Sequence, residues 1–388
     1  MKYLIAIVVA AGLGFAAAYL MVSKPNSTPK QVENADPEAA VAAPAAKPAA
    51  PKNVPHNTPV DVLQKLTKLN PSATKDPART VRQIIHHLET LTDAGEDAIH
   101  PISAFIATGV DLDYILSDSP GNGAPFWNWH SGQPIFSGLV LPPSLRLSLV
   151  DVLRNIGGEN AETALGVILA TSSRPVEVAY VAVVLEKMAP GKYREVALAS
   201  AKRLLEDPAH TNAHTPLDAH ADANLYGVLN MNGDNSLVEA AQAKLMVNGR
   251  YDADAGKYLV NALKGQAMPV LAKLYPTATA EDKNVINNQA FNYVGNSAEA
   301  NTIFKSWILD NTVDSGAQAI YAKPRSTFVE LLAGGNQGFF HAPVPTDPAV
   351  ISDRINLLND INGQLPPSML KEVVGQTIQK LQALPGAH

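Results

Sequence analysis

Three histidines and two aspartates share one short run, His210-Thr-Asn-Ala-His214-Thr-Pro-Leu-Asp218-Ala-His220-Ala-Asp222. Neutral imidazoles and carboxylates are nitrogen and oxygen ligands for zinc and similar ions, so metal-assisted hydrolysis is the chemistry such a run would support. His210, His214, Asp218 and His220 are the candidate ligands. A helix would place His210 and His214 on one face, but Asp207-Pro208 and Pro216 interrupt that helix. His220 and Asp222 would point apart on a helix. The competing reading is a polar loop between helices. No His-Glu-x-x-His pattern accompanies the run, and His86-His87 lie adjacent within an amphipathic helix, one imidazole facing water and one packing.

Aromatic residues mark two further candidates. The longest gap in helical periodicity runs from Val110 to Pro142 and holds Phe126-Trp127-Asn128-Trp129-His130 among glycines and prolines. Long insertions of this kind are often functional, and tryptophan is a favoured binding anchor. Gly334-Gly-Asn-Gln-Gly-Phe339-Phe340-His-Ala-Pro has the same character. As a binding surface these loops would use Phe126, Trp127, Trp129, His130, Phe339 and Phe340. The reading favoured from tryptophan's usual burial is instead a structural cover, in which the tryptophans are buried over an open helical end.

Other chemistry is excluded or weak. The chain has no cysteine, which removes disulfides, thiolate nucleophiles, Cys-ligated zinc and iron–sulfur clusters. Ser72-Ala-Thr-Lys75 and Ser368-Met-Leu-Lys371 match Ser-x-x-Lys, but Ser-Asp-Asn and Lys-Thr-Gly are missing. Nucleophile-elbow and phosphate-loop patterns are also missing. Asn230-Met-Asn-Gly-Asp-Asn-Ser236 misplaces the glycine of a calcium loop and reads as a turn. Gly12-Leu-Gly14-Phe-Ala-Ala lies inside an apolar run, not after a strand, so it is no dinucleotide site. No cofactor is expected. With 36 acidic against 30 basic residues and no polybasic run, the surface is not built for nucleic acid.

The elements that position these residues begin with 20 uncharged, apolar residues, Tyr3 to Val22. As a helix they reach about 30 Å, one hydrocarbon thickness. Residues 1–22 are therefore expected to be an uncleaved single-pass anchor in a bacterial inner membrane, with the remainder of the chain in the periplasm. A signal peptide cleaved after Ala16-Ala17-Ala18, giving a secreted protein, is the alternative. Ala6, Ala10, Gly14 and Ala18 form a small-residue stripe through which two such helices could pair as a homodimer. Residues 23–58 alternate seven prolines with alanine-rich pieces and hold no aromatic, Leu or Ile. That composition forms no core and predicts a disordered, extended linker of on the order of 100 Å.

From residue 59 to 388 the apolar period is helical, and the fold class is all-α. Thr58-Pro59 and Asp76-Pro77 read as helix starts, and Gly109 and Gly157-Gly158 as helix ends. Further helices are expected over Pro216–Leu229, Ser236–Met246, Asp252–Leu263, Thr279–Val294 and Ser297–Leu309, with a capping pair within residues 348–382, and no series of hairpin-linked strands. The chain also repeats itself. Gly95-Glu-Asp-Ala recurs as Gly158-Glu-Asn-Ala, Gly191-Lys-Tyr-Arg and Gly295-Asn-Ser-Ala come later, and Pro143-Ser-Leu-Arg and Pro175-Val-Glu-Val open similar helices. A two-helix unit of about 32 residues buries both its apolar faces only by stacking on copies of itself.

At these residues the chain resembles HEAT repeats of the PBS-lyase type. Pro143-Ser-Leu-Arg-Leu-Ser-Leu-Val-Asp-Val-Leu-Arg-Asn-Ile-Gly is similar to the Pro-x-Val-Arg helix of that family. Gly158 to Leu169 is similar to its following helix, with Ala161, Leu165 and Leu169 facing inward. The resemblance covers residues 95–206, and Val178 stands where the second copy should carry arginine. It implies a right-handed α–α superhelix and a non-catalytic scaffold that binds a protein or an envelope component, without naming either.

Overall fold

The computed structural model describes residues 58–114, 127–128, 133–134, 141–207, 221–310, 325–337 and 340–386. The chain divides into Met1–Pro55 and His56–His388, and every described residue belongs to the second unit. Among the described residues the chain is all-α apart from three two-stranded ribbons, and no helix there is long and apolar enough to cross a membrane. The apolar run Tyr3–Val22, its stripe Ala6, Ala10, Gly14 and Ala18, and the proline-rich linker before Thr58 lie outside them.

Several helices start where a short polar side chain holds their free N–H groups. Thr58 and Asp61 cap each other's backbone at the start of α1 (Pro59–Leu66). Asp76 caps α2 (Pro77–Asp93), and a left-handed Gly95 opens α3 (Glu96–Ala107). Ser144 caps α4 (Leu145–Ile156). α5 (Gly158–Thr171) starts on the repeat glycine Gly158, whose φ of 77°, like the 60° of Gly95, strains any side chain. Proline at its first position starts α6 (Pro175–Met188), and α7 (Arg194–Glu206) comes next. The chain continues as α8 (Ala221–Met231), α9 (Val238–Ala243), α10 (Ala253–Leu263), α11 (Met268–Leu274), α12 (Ala280–Ala290) and α13 (Ala298–Leu309). α14 (Arg325–Leu331), α15 (Pro348–Gln364) and α16 (Met369–Gln382) complete it.

Several boundaries differ from the periodicity. The helix expected over Ser236–Met246 is only α9, because the chain turns at Asn248-Gly249 (φ 52° and 77°) and pairs Met246–Val247 (β3) with Arg250–Tyr251 (β4). Positive φ at both central residues is the hairpin geometry that Asn-Gly favours. The α-helix expected to Val294 stops at Ala290 and tightens into a 3-10 turn, Phe291–Tyr293. The Gly334 loop is a ribbon, Gly335–Gln337 (β5) with Phe340–Ala342 (β6). Within the insertion after Val110, Trp127–Asn128 (β1) pairs with Gln133–Pro134 (β2). Its two ends are tied where Tyr114 N–H donates to Pro143 O at 2.8 Å and Leu145 N–H to Leu112 O at 2.9 Å.

Each helix packs mainly on the next and the next but one in sequence, and among the described residues the principal helix pairings are all of this short range. The buried apolar side chains nevertheless form one continuous core from Val62 to Leu381, with Ala161, Leu165 and Leu169 fully inside. Several polar ties between helices link residues 30 to 32 positions apart. Lys192 to Glu162 spans 30 residues, Arg146 to Glu177, Ser200 to Leu169 O and Arg203 to Ser172 O each span 31, and Lys202 to Asp234 spans 32. Basic side chains also reach the free carbonyls at helix ends, where the helix dipole favours a cation. Arg203 holds Ser172 O, Lys244 holds Leu205 O, Arg325 holds Ile308 O, and Arg354 holds both Val294 O and Leu332 O.

Candidate partner-binding surface

The seam between α3 and α5 opens into a groove of about 500 Å³ toward the C-terminal ends of both helices. Its walls carry small and aliphatic side chains, Ile106 and Ala107 from α3 and Ala164, Val167 and Ile168 from α5. Local sequence explains the opening. Residues 103–110 and 163–173 contain no charged side chain, and alanine at positions 107 and 164 leaves the space a larger residue would fill. The hydroxyls at the rim are spent on their own helices: Ser103 donates to Ile99 O at 2.9 Å and Thr171 to Val167 O at 2.8 Å. Both hydroxyl protons are thereby directed back into their own helices and away from the groove.

One end of the groove is closed by charge. Arg146 of α4 makes a bidentate pair with Glu177 of α6, Nε to Oε2 at 2.6 Å and Nη2 to Oε1 at 2.7 Å, and its Nη1 donates to Ile106 O at the end of α3. Both side chains are buried, Glu177 to 1% exposure. Such a pair survives burial because each guanidinium edge has its own acceptor. Asp111 extends the network by accepting from the Leu112 and Arg146 N–H groups and pairing with Arg174, which also lies near Asp113. Thus one arginine joins α3, α4 and α6.

A second, smaller cleft of about 310 Å³ lies between α2 and α4, with Glu89, Asp93, Asp151 and Asn155 among aliphatic neighbours. Tyr180 donates to Asp151 at 2.5 Å, and Arg154 stands 3.2 Å from the same carboxylate. Burial nevertheless pushes the Asp151 carboxyl above the usual range, against the opposing pull of Tyr180 and Arg154, and raises the Tyr180 phenol as well. A carboxyl whose folded pKa is raised weakens the fold while ionised, and that cost disappears as pH falls through the folded pKa. Asp151→Asn is therefore expected to melt at or above the wild-type temperature at pH 7.5, with the difference shrinking in melts taken at progressively lower pH. A variant less stable than wild type at neutral pH would contradict this sign.

The residues singled out from sequence fall differently. His210, His214, Asp218 and His220 lie outside the described residues, as do Phe126, Trp129, His130 and Phe339. Trp127 is placed in β1 and Phe340 in β6. Among the described residues no group of three or more histidines, cysteines or carboxylates could hold a metal. His86 is exposed and His87 half-buried, as their adjacent helical positions require. Sequence reasoning misses the Arg146–Glu177 pair, although both residues stand in the two similar helix openings, Pro143-Ser-Leu-Arg and Pro175-Val-Glu-Val. Opposite charges at equivalent helical starts one repeat apart are the signal that could have found it. No known protein family, curated protein or solved structure matches the chain.

Proposed function

We propose that residues 59–388 form a HEAT-like α-solenoid, a right-handed superhelix of stacked helical pairs, that acts as a binding scaffold. The observation that carries this reading is the pairing of short-range helix packing with a set of polar ties 30 to 32 residues apart between residues 146 and 234. A structure in which each unit touches only its neighbours offers a long continuous surface, which is how solenoids recognise partners. The groove between α3 and α5, aliphatic along its helical walls and charged only at the end where Arg146, Glu177 and Arg174 stand, is the place on it most suited to contact. Residues 1–22 tether the scaffold to a bacterial inner membrane and residues 23–58 space it outward into the periplasm, where it binds a protein or envelope component. Pairing through Ala6, Ala10, Gly14 and Ala18 would present two scaffolds side by side.

Two measurements on the expressed chain test this. Intact mass of the membrane fraction is expected to show the N-terminal segment retained, and a soluble product beginning at Tyr19 would replace the anchor with a signal peptide. Circular dichroism of residues 57–388 alone is expected to show a cooperative, predominantly helical domain, because the linker supplies no apolar side chain of size to the core. A coil-like spectrum would overturn the scaffold.

A further inference from the structure

We infer that the α3–α5 groove is the docking site for a partner-protein segment with an uncharged aliphatic core and a basic residue beside it. This rests on the scaffold reading and names its partner class. The neighbouring seam shows what is unusual here. Between α5 and α7, Arg203 reaches Ser172 O, Ser200 reaches Leu169 O and Lys192 reaches Glu162, so that seam is laced shut. Across α3 and α5 the hydrogen bond from Asn160 to Glu96, at 3.4 Å, lies at the N-terminal ends, well away from the groove. The open part is lined by Val167 at 58% exposure and by Gly109, next to which Val110 is 49% exposed. Aliphatic side chains this exposed on adjoining elements, around a cavity, mark an interaction surface more than isolated exposed residues do.

The charges around the groove select the occupant. At the N-terminal end of the same seam stand Glu96, Asp97 and Glu159, all exposed, with Lys192 alongside but already bonded to Glu162. At the groove end, Arg174 is neutralised by Asp111 and Asp113. An acidic partner segment, or an anionic lipid surface, would meet this carboxylate cluster with repulsion. An uncharged aliphatic stretch fills the groove without stranding a charge, and a basic side chain meets the acidic end. From Ala107 to Glu96 along α3 is about 16 Å at the helical rise. An extended segment covers that in about five residues. The expected ligand therefore carries lysine or arginine about five positions from its aliphatic core.

The test uses the full-length chain, immobilised and panned with a random peptide library on phage, the recovered peptides then being synthesised. The proposal expects peptides with a Val-, Ile-, Leu- or Ala-rich core and a nearby basic residue. Val167→Glu should weaken their binding about tenfold or more without moving the melting temperature, because Val167 is already exposed. Glu96→Gln with Glu159→Gln should weaken the basic peptides while sparing analogues whose lysine is replaced by glutamine. Recovery of acidic or charge-rich peptides overturns the proposal, and so does recovery of none. Binding unaffected by Val167→Glu overturns the groove while leaving the scaffold reading intact, whereas loss of the helical fold in residues 57–388 would sink that reading separately. Self-association of the chain that Val167→Glu abolishes would identify a second copy as the occupant and overturn the proposal too.

Discussion

Arg146→Ala is expected to destabilise the protein by about 3–5 kcal/mol, the cost of leaving a buried charge without its partner. Glu177 would stay at 1% exposure with no cation, and Ile106 O would lose its charged donor and keep only backbone N–H partners such as Gly109. Against a typical total stability of about 5–15 kcal/mol, that is enough to unfold part of the population at physiological temperature. Urea denaturation followed by circular dichroism reads it directly. The double variant Arg146→Met with Glu177→Leu is expected to recover most of the loss, because a packed apolar pair of similar size avoids the desolvation cost of both ions. A single variant as stable as wild type would mean that water reaches Glu177. A double variant as unstable as the single would mean that shape, not charge, governs this junction.

Phe304→Ala carries the other large effect, about 3–5 kcal/mol for removing a fully buried aromatic ring. Phe304 lies at 0% exposure in α13, with ring centroids 6.1 Å from Phe291 and 6.3 Å from Trp307. Phe328 of α14 stacks edge-on against both Phe291 and Trp307 at 5.2 Å, and Trp307 donates to Asn284 Oδ1 at 2.7 Å. Edge-to-face packing of this kind adds to the area buried. The location of the damage matters as much as its size. Because the principal packing joins only near neighbours along the chain, amide exchange should quicken from α11 to α16 and stay close to wild type in α1 to α6. Uniform loss of protection across all helices would show that the helices fold as one indivisible unit.

Much of the helical half of this picture is legible in residues. Asp76, Ser144, Thr279 and Ser368 all cap the helices they precede, since a short polar side chain before an apolar period has one common use. The glycine that opens Gly95-Glu-Asp-Ala and Gly158-Glu-Asn-Ala takes a left-handed conformation in both copies. Less is legible where two signals compete. Asn248-Gly249 is a strong hairpin signal, but the helical spacing of apolar residues up to Met246 outweighs it, so periodicity takes the ribbon for the end of a helix. The candidate groove is not legible at all, because it is made of what is missing: Ala107 and Ala164 are ordinary helical residues until two helices are laid side by side.

The residues alone suffice for the all-α class, the helix starts at Pro59 and Pro77 and the exclusion of thiol chemistry, because capping, periodicity and composition are local properties that neighbouring residues set together. Only the packed structure establishes that Arg146 faces Glu177 across 31 residues, that the half-buried Asp151 accepts from Tyr180, and that the α3–α5 seam stays open where the α5–α7 seam is laced. These depend on which side chains meet when neighbouring helices pack. That pairing is set by the angle and offset between helices, which no local pattern of residues encodes.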